Sequence, residues 1–216
     1  IMFLDTKIHS RKDIKGKLSI PFIGDVPLDK DEESSSVAEA FKIVRTNMAF
    51  MSKKDHPVQV IMTTSMGEGD GKTFISRNLA KSYVAAKKSV VLLDLDIRKG
   101  TLSTFFGGHH VGVTNYLADP SLTLDDIIHH DKDVEGMDVI SSGTHAPNPA
   151  ELLMDERLDE LFAELRKRYE FIIADSVPVG MVADATIAGR IADMTIFVVR
   201  AGRLDRRQLP DLETMY

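Results

Sequence analysis

The sequence predicts a three-layer α/β/α fold with a mainly parallel central sheet. Three observations predict it. Short apolar runs rich in β-branched residues recur at 58–63, 89–93, 137–140, 171–174 and 194–199; amphipathic segments separate them; and a glycine-rich turn joins the first run to the next segment. Strands buried on both faces read as near-continuous apolar runs, and the helices between them supply the two covers. Ligands of such sheets bind beyond the carboxyl ends of the strands.

A length of 216 residues fits one large domain. With 43% hydrophobic and 28% charged residues the chain can bury a core and keep a charged surface. Its net charge of −6 argues against a nucleic-acid partner, which calls for a basic excess. The absence of cysteine excludes disulfides and cysteine-held metals, as befits a reducing compartment. No apolar run reaches the length of a membrane span and no signal-peptide pattern opens the chain. The first residue is Ile1 rather than Met, so a processed boundary or preceding residues are expected.

Taken in order, residues 1–35 form an N-terminal arm and 36–216 the globular domain, the two packing as one unit. The arm carries a basic patch (Lys7, Arg11, Lys12, Lys15, Lys17), one short strand near 22–26 and an acidic, serine-rich hinge. The patch suits anionic lipid if a membrane segment precedes it, and equally suits a solvated face. A helix comes next over 36–50, with Val37, Phe41, Val44 and Met48 on one stripe and Ser36 with Glu39 as a capping box. Strands at 58–63 and 89–93 flank a helix at 72–86; short helices come at 113–117 and 124–128, and a strand at 137–140. One long helix is expected over 149–168, turning Leu152, Leu158, Leu161, Phe162 and Leu165 inward. A strand at 171–174, a helix at 183–191 and a strand at 194–199 complete the pattern. The pairs His109-His110 and His129-His130 read as exposed loops, because adjacent side chains diverge and no carboxylate spacing completes a metal site. The 10 methionines are read as core fillers.

The sharpest signal is Ser65-Met66-Gly67-Glu68-Gly69-Asp70-Gly71-Lys72-Thr73, which leaves an apolar strand and opens a helix. That is the context of a phosphate-binding P-loop. Glycines let backbone N–H groups line a concavity, and a helix N-terminus favours an anion. Lys72 is expected to reach the β- and γ-phosphates and Thr73 to ligate Mg²⁺. The plain pattern G-x-x-x-x-G-K-[ST] wants glycine where this chain has Met66, so the loop is a variant. Two further apolar strands end in carboxylates: Leu92-Leu93-Asp94-Leu95-Asp96 and Ile172-Ile173-Ala174-Asp175. Phosphoryl transfer needs carboxylates to hold Mg²⁺ and to orient an attacking hydroxyl, and strand ends beside the loop are where they converge. The plain alternative is that each aspartate caps a turn.

On these residues the chain resembles the bacterial tyrosine kinases of capsule and exopolysaccharide systems, the BY-kinases. Residues 65–73 look like the family's Walker A motif; Asp94-Leu95-Asp96-Ile97-Arg98 matches its second Walker motif, D-x-D-x-R; Ile172 to Asp175 looks like Walker B; and Glu39-Ala40-Phe41-Lys42-Ile43-Val44-Arg45-Thr46-Asn47 is similar to its E-x-x-R-x-x-R-T-N helix. The stretch Pro147-Asn148-Pro149-Ala150-Glu151-Leu152-Leu153 is also typical. Lys42 replaces the first arginine of the helix motif, and Ser176-Val177-Pro178 stands where the family has Thr-Pro-Pro.

The resemblance implies a P-loop NTPase-like domain that moves phosphate from ATP to tyrosine and so regulates polysaccharide synthesis and export. It implies ATP or ADP and Mg²⁺ held by Gly67, Glu68, Gly69, Asp70, Gly71, Lys72, Thr73, Phe74 and Arg98, with Thr73, Asp96 and Asp175 at the metal. Lys72, Asp94, Asp96 and Asp175 are the expected catalytic set, with Asp94 as base. Glu39, Lys42 and Arg45 are expected at the interface of a homo-oligomeric ring, an octamer by resemblance, in which each subunit phosphorylates a neighbour's tyrosine-rich C-terminal tail. Here Tyr216 ends the chain, so the tail is expected to be truncated or lost. The arm resembles the segment after a transmembrane helix, which implies the cytoplasmic face of the inner membrane. Two other readings stay open: a partitioning or division-site ATPase, which would carry a second lysine early in the loop, and a nucleotide-gated assembly module without chemistry.

Overall fold

The structure is a computed structural model, in which residues 5–28, 34–108, 111–179 and 190–215 are described. Six strands form one sheet in the order β3-β4-β2-β5-β1-β6. They are β1 (Val60–Ser65), β2 (Val90–Asp94), β3 (His129–His130), β4 (Met137–Ile140), β5 (Phe171–Asp175) and β6 (Met194–Val198). All pairings are parallel except β3 on β4. Side chains alternate between faces along each strand, so apolar runs feed two cores at once. Val60, Met62, Val91, Leu93, Ile172 and Ala174 face one core. Ile61, Val90, Leu92 and Ile173 face the other.

Helices α1 (Ser35–Met51) and α2 (Lys72–Ala85) cover the second face. Val37, Phe41, Val44 and Met48 are the buried stripe of α1, as the spacing predicts. Its N-cap is Ser34, whose hydroxyl accepts the Val37 N–H, so the predicted cap at Ser36 and its capping box with Glu39 are corrected. The first face is covered by α3 (Val113–Ala118), α4 (Leu124–Ile127), α5 (Pro149–Met154) and α6 (Glu156–Arg168). The single helix expected over 149–168 is therefore two. Asp155 breaks it: its backbone is extended at φ −64° and ψ 145°, and its carboxylate accepts the Arg157 N–H at 2.8 Å, an N-cap inside the apolar pattern. The break turns Leu153, rather than the predicted Leu152, fully into the core. His129 and His130 form the antiparallel edge strand, not a loop, and His130 meets Asp138. His109, His110 and most of the helix expected at 183–191 lie outside the described residues.

No strand forms near 22–26. That stretch lies across α1 instead: Asn47 donates to the Ile23 carbonyl at 2.8 Å, and a Cβ at Gly24 would sit 2.8 Å from Val44 Cγ2. Further back, the arm pairs with the segment after β6. Ile8 donates to Leu204 O, Gly202 to Ile8 O and Arg206 to Thr6 O. Ile8, Leu204, Leu209 and Leu212 make a third small cluster, the last two from the C-terminal helix α7 (Leu209–Met215). Among the described residues no helix is long and apolar enough to cross a membrane.

Asp205 ties the arm down. Its carboxylate accepts from Thr6 Oγ1 at 2.6 Å and from Arg207, which together hold it well below the usual carboxylate range. A depressed pKa stabilises above the ordinary carboxylate range and loses that effect only as pH falls through the folded value, so arm attachment is constant from about pH 5 to about pH 8. Asp205→Asn is expected to speed tryptic cleavage at Lys7, Arg11 and Lys12 at neutral pH, read by mass spectrometry. Cleavage at the wild-type rate would contradict the tether.

Candidate nucleotide and phosphoryl-transfer site

The site lies at the carboxyl ends of β1, β5 and β2. Parallel register sets Thr63 beside Asp175 and Asp175 beside Asp94. The loop after Ser65 then closes on α2 through Gly71, the N-cap residue, whose φ of 100° is left-handed backbone open to glycine. The first helical bond of α2 runs from the Ile75 N–H to Gly71 O, so the amides ahead of it sit at the free end of the helix. Lys72 is buried in this first turn, and its Nζ lies 3.3 Å from Ser65 Oγ.

Asp175 is the hub of a buried hydroxyl network. It accepts from Thr73 Oγ1 at 2.6 Å, Ser76 Oγ at 3.0 Å and Thr63 Oγ1 at 3.2 Å. Burial raises its pKa, while Thr73, Ser76 and the Lys72 charge oppose the rise. Asp94 has no exposed surface. One of its oxygens accepts the Asp96 N–H; the other accepts the Ser103 N–H at 2.8 Å and hydroxyl at 2.7 Å. Burial pushes its pKa up to about 7 against those bonds, with the Asp175 and Asp96 charges adding to the rise.

The remaining predicted residues are partly gathered. Asp96 is half-buried at the mouth and accepts the Lys99 N–H. Arg98 is exposed on the same loop. Glu68 pairs with Lys99 at 2.5 Å, joining the phosphate loop to the loop after β2; that bond holds the Glu68 pKa down. Asp70 accepts the Gly67 N–H at 2.9 Å and braces the turn from inside. Gly69, like Gly71, has a positive φ, of 72°. The ring of Phe74 packs edge-on against Phe41 at 6.1 Å. Glu39, Lys42 and Arg45 lie away from the site on α1. Lys42 pairs with Glu39 at 3.0 Å, and Arg45 is bonded within its own chain to Ser82. Sequence reasoning missed Thr63, Ser76 and Ser103, because a serine or threonine in an apolar run carries no signal until register brings it to a carboxylate.

The residues fit a nucleotide and its metal. A positively charged Nζ, glycines with left-handed backbone and a free helix end form an anion cradle. The hydroxyl–carboxylate pair Thr73–Asp175 suits a hard cation that keeps much of its water. Among the described residues no group of three or more His, Cys, Asp or Glu could hold a metal unaided, so phosphate and water oxygens must complete any Mg²⁺ shell.

Such a loop, sheet and acidic cluster define a P-loop nucleotide-binding protein. No family model matches the chain. It is 35% identical over 178 residues to the tyrosine-protein kinase YwqD of Bacillus subtilis (strain 168), covering 82% of this chain and 74% of that one. It is 33% identical over 175 residues to the tyrosine-protein kinase CpsD of Streptococcus pneumoniae, covering 79% and 74%. Among solved structures it resembles the BceF tyrosine kinase domain, with a TM-score of 0.86 and 31% identity over 97% of this chain and 93% of that one. The chain belongs to the bacterial tyrosine-protein kinase family. A MinD protein from Pyrococcus horikoshii, at 24% identity and a TM-score of 0.54, shares the fold. A putative tyrosine-protein kinase in the cps region of Klebsiella pneumoniae is 35% identical over 176 residues, which make up 24% of its length.

Ser103 is the support of Asp94: its hydroxyl donates to the carboxylate and accepts the Ser142 N–H at 2.8 Å, all in buried surroundings. Ser103→Ala leaves two buried polar groups short of a partner and is expected to cost about 1–3 kcal/mol in urea unfolding. An unchanged unfolding free energy would show that the network is dispensable.

Proposed function

We propose that this chain transfers the γ-phosphoryl group of ATP to tyrosine hydroxyls, on its own copies, in a system that makes or exports surface polysaccharide. The observation that carries the reading is the Thr73–Asp175 hydrogen bond beside the buried Lys72, whose Nζ is bonded to Ser65, with Asp94 in register next to Asp175, in a member of the tyrosine-kinase family. The loop from Gly67 to Thr73 would cradle the phosphates, with Lys72 offsetting charge as it develops on them. Mg²⁺, when bound, supplies further charge neutralisation; Thr73, Asp96 and Asp175 would hold it directly or through water.

Asp94 is the proposed base or orienting group for the tyrosine hydroxyl. Because its carboxylate is covered, the role requires the short 3-10 helix at Leu102–Phe106, which carries Ser103, to shift when an acceptor enters. Arg98 orients these carboxylates from the mouth. Relatives named for a cps region support the polysaccharide context. The arm and its basic patch suit a chain that continues from a membrane segment at the inner face of the plasma membrane. Glu39 and Lys42 on α1, with Arg45 half-buried beside them against Ser82 of α2, are proposed to contact a neighbouring subunit in a ring.

The competing ATPase reading predicts phosphate release without phosphotyrosine, and the assembly-module reading predicts neither. Incubation with labelled ATP and a tyrosine-containing acidic peptide, read for phosphotyrosine and released phosphate, separates the three. Lys72→Met is expected to lower phosphotyrosine formation at least about 100-fold while the chain stays folded by circular dichroism. A folded variant that retains phosphotyrosine would overturn the assignment. Arg45→Ala is expected to lower the mass of the assembly in light scattering, and an unchanged mass would count against the α1 interface.

A further inference from the structure

We propose that Arg200 and Arg203, on the segment after β6, are positioning residues for the phosphate loop: they hold two carbonyls outward so that the next two amides face the phosphates. Arg200 Nη1 donates to the Gly69 carbonyl at 2.8 Å. Arg203 Nη1 donates to the Glu68 carbonyl at 3.0 Å and lies 3.4 Å from Asp70 Oδ1.

In a planar trans peptide the C=O and the following N–H point in opposite directions. Anchoring Glu68 O on the arginine side therefore aims the Gly69 N–H away from it, and anchoring Gly69 O aims the Asp70 N–H the same way. The need for an anchor comes from composition. Gly67, Gly69 and Gly71 give the turn the freedom to wrap an anion, and the same freedom lets its peptides rotate out of line. A cationic donor on each carbonyl also polarises the peptide and strengthens the N–H at its far side. Close approach is built in at Gly69, where a Cβ would lie 3.0 Å from Arg203 Nη1.

The base of the clamp is itself fixed. Gly202 donates to Ile8 O at 2.7 Å, Ile8 donates to Leu204 O at 2.9 Å, and Leu204 is buried in the third cluster. The segment bearing both arginines is thus held by the arm, on the side of the loop opposite the Glu68–Lys99 pair.

The inference rests on the reading that this loop binds nucleotide, and the wild-type chain is the control for that. Both arginines are exposed, so their replacement should leave the fold intact. In Arg200→Ala/Arg203→Ala the affinity for Mg-ADP, measured by calorimetry, is expected to fall at least about ten-fold. The KM for ATP should rise in step, with kcat at saturating ATP within about three-fold of wild type. In ¹H–¹⁵N spectra without nucleotide, the Gly69 and Asp70 amide signals should shift and broaden. Arg200→Lys/Arg203→Lys, which keeps the charge but not the planar fork, should recover only part of the affinity. Unchanged affinity in the folded alanine variant would overturn the proposal. So would full recovery by the lysine variant, which would reduce the pair to a charge effect. A folded wild-type chain without Mg-dependent affinity for ADP would instead refute the nucleotide reading itself.

Discussion

The insertion of β5 between β1 and β2 is the constraint on which the site depends. The chain leaves β1, crosses through α2 and returns as β2 one slot away, and that slot is later filled by β5. Register then does the rest: Thr63 falls beside Asp175 and Asp175 beside Asp94. Residues more than 100 positions apart share one hydroxyl network because three strands end at the same height. The phosphate loop opens from the same edge, so the helix end and Lys72 face the carboxylates rather than solvent.

That arrangement sets two buried carboxylates side by side, which is costly unless each is bonded or neutralised. The two solve it differently. Asp175 has three hydroxyl donors and a nearby lysine. Asp94 has only backbone and serine donors, and burial lifts its pKa to about 7. Two like groups in unlike surroundings support the proposed division of tasks, a cation at Asp175 and a proton at Asp94. The difference arises where the chain leaves each strand. At the end of β5 the neighbours are the hydroxyls of β1 and α2, whereas beyond β2 the chain folds back through Leu102–Phe106 and covers Asp94 with Ser103.

Much of this was legible in the residues. The apolar runs and the Gly-Lys-Thr junction fixed the class of sheet and the position of the loop, and the α1 stripe was readable from spacing alone. The parts that were not legible share a cause: they depend on partners distant in sequence or on a local bond that composition does not reveal. Asp155 sits in an unbroken helical pattern, and only its side-chain bond to the Arg157 N–H shows that a cap outcompetes one more turn. Residues 22–26 have the composition of a strand, but they are taken up by packing on α1. Arg200 and Arg203 lie more than 130 positions from the loop they touch, and nothing around them marks the contact.

Met66 illustrates how a departure from a motif can be structural rather than a loss. Glycine at this position of a phosphate loop is useful where the backbone must turn left-handed. Among the described residues, the only non-glycine with positive φ is Lys87, so Met66 adopts its conformation without that strain. Its side chain packs against the third cluster, alongside the arm residues Ile14, Leu18 and Ile20 and the β6 end at Phe197 and Val199. A glycine there would leave this contact empty. Methionine is long and unbranched enough to reach from the loop into a small, irregular cluster. The loop is consequently fastened at its start by an apolar side chain and along its crest by guanidinium–carbonyl bonds, and both fastenings lead to the same surface, where the arm meets the segment after β6. Both fastenings restrain a turn that carries three glycines, which is what the proposed role of Arg200 and Arg203 requires.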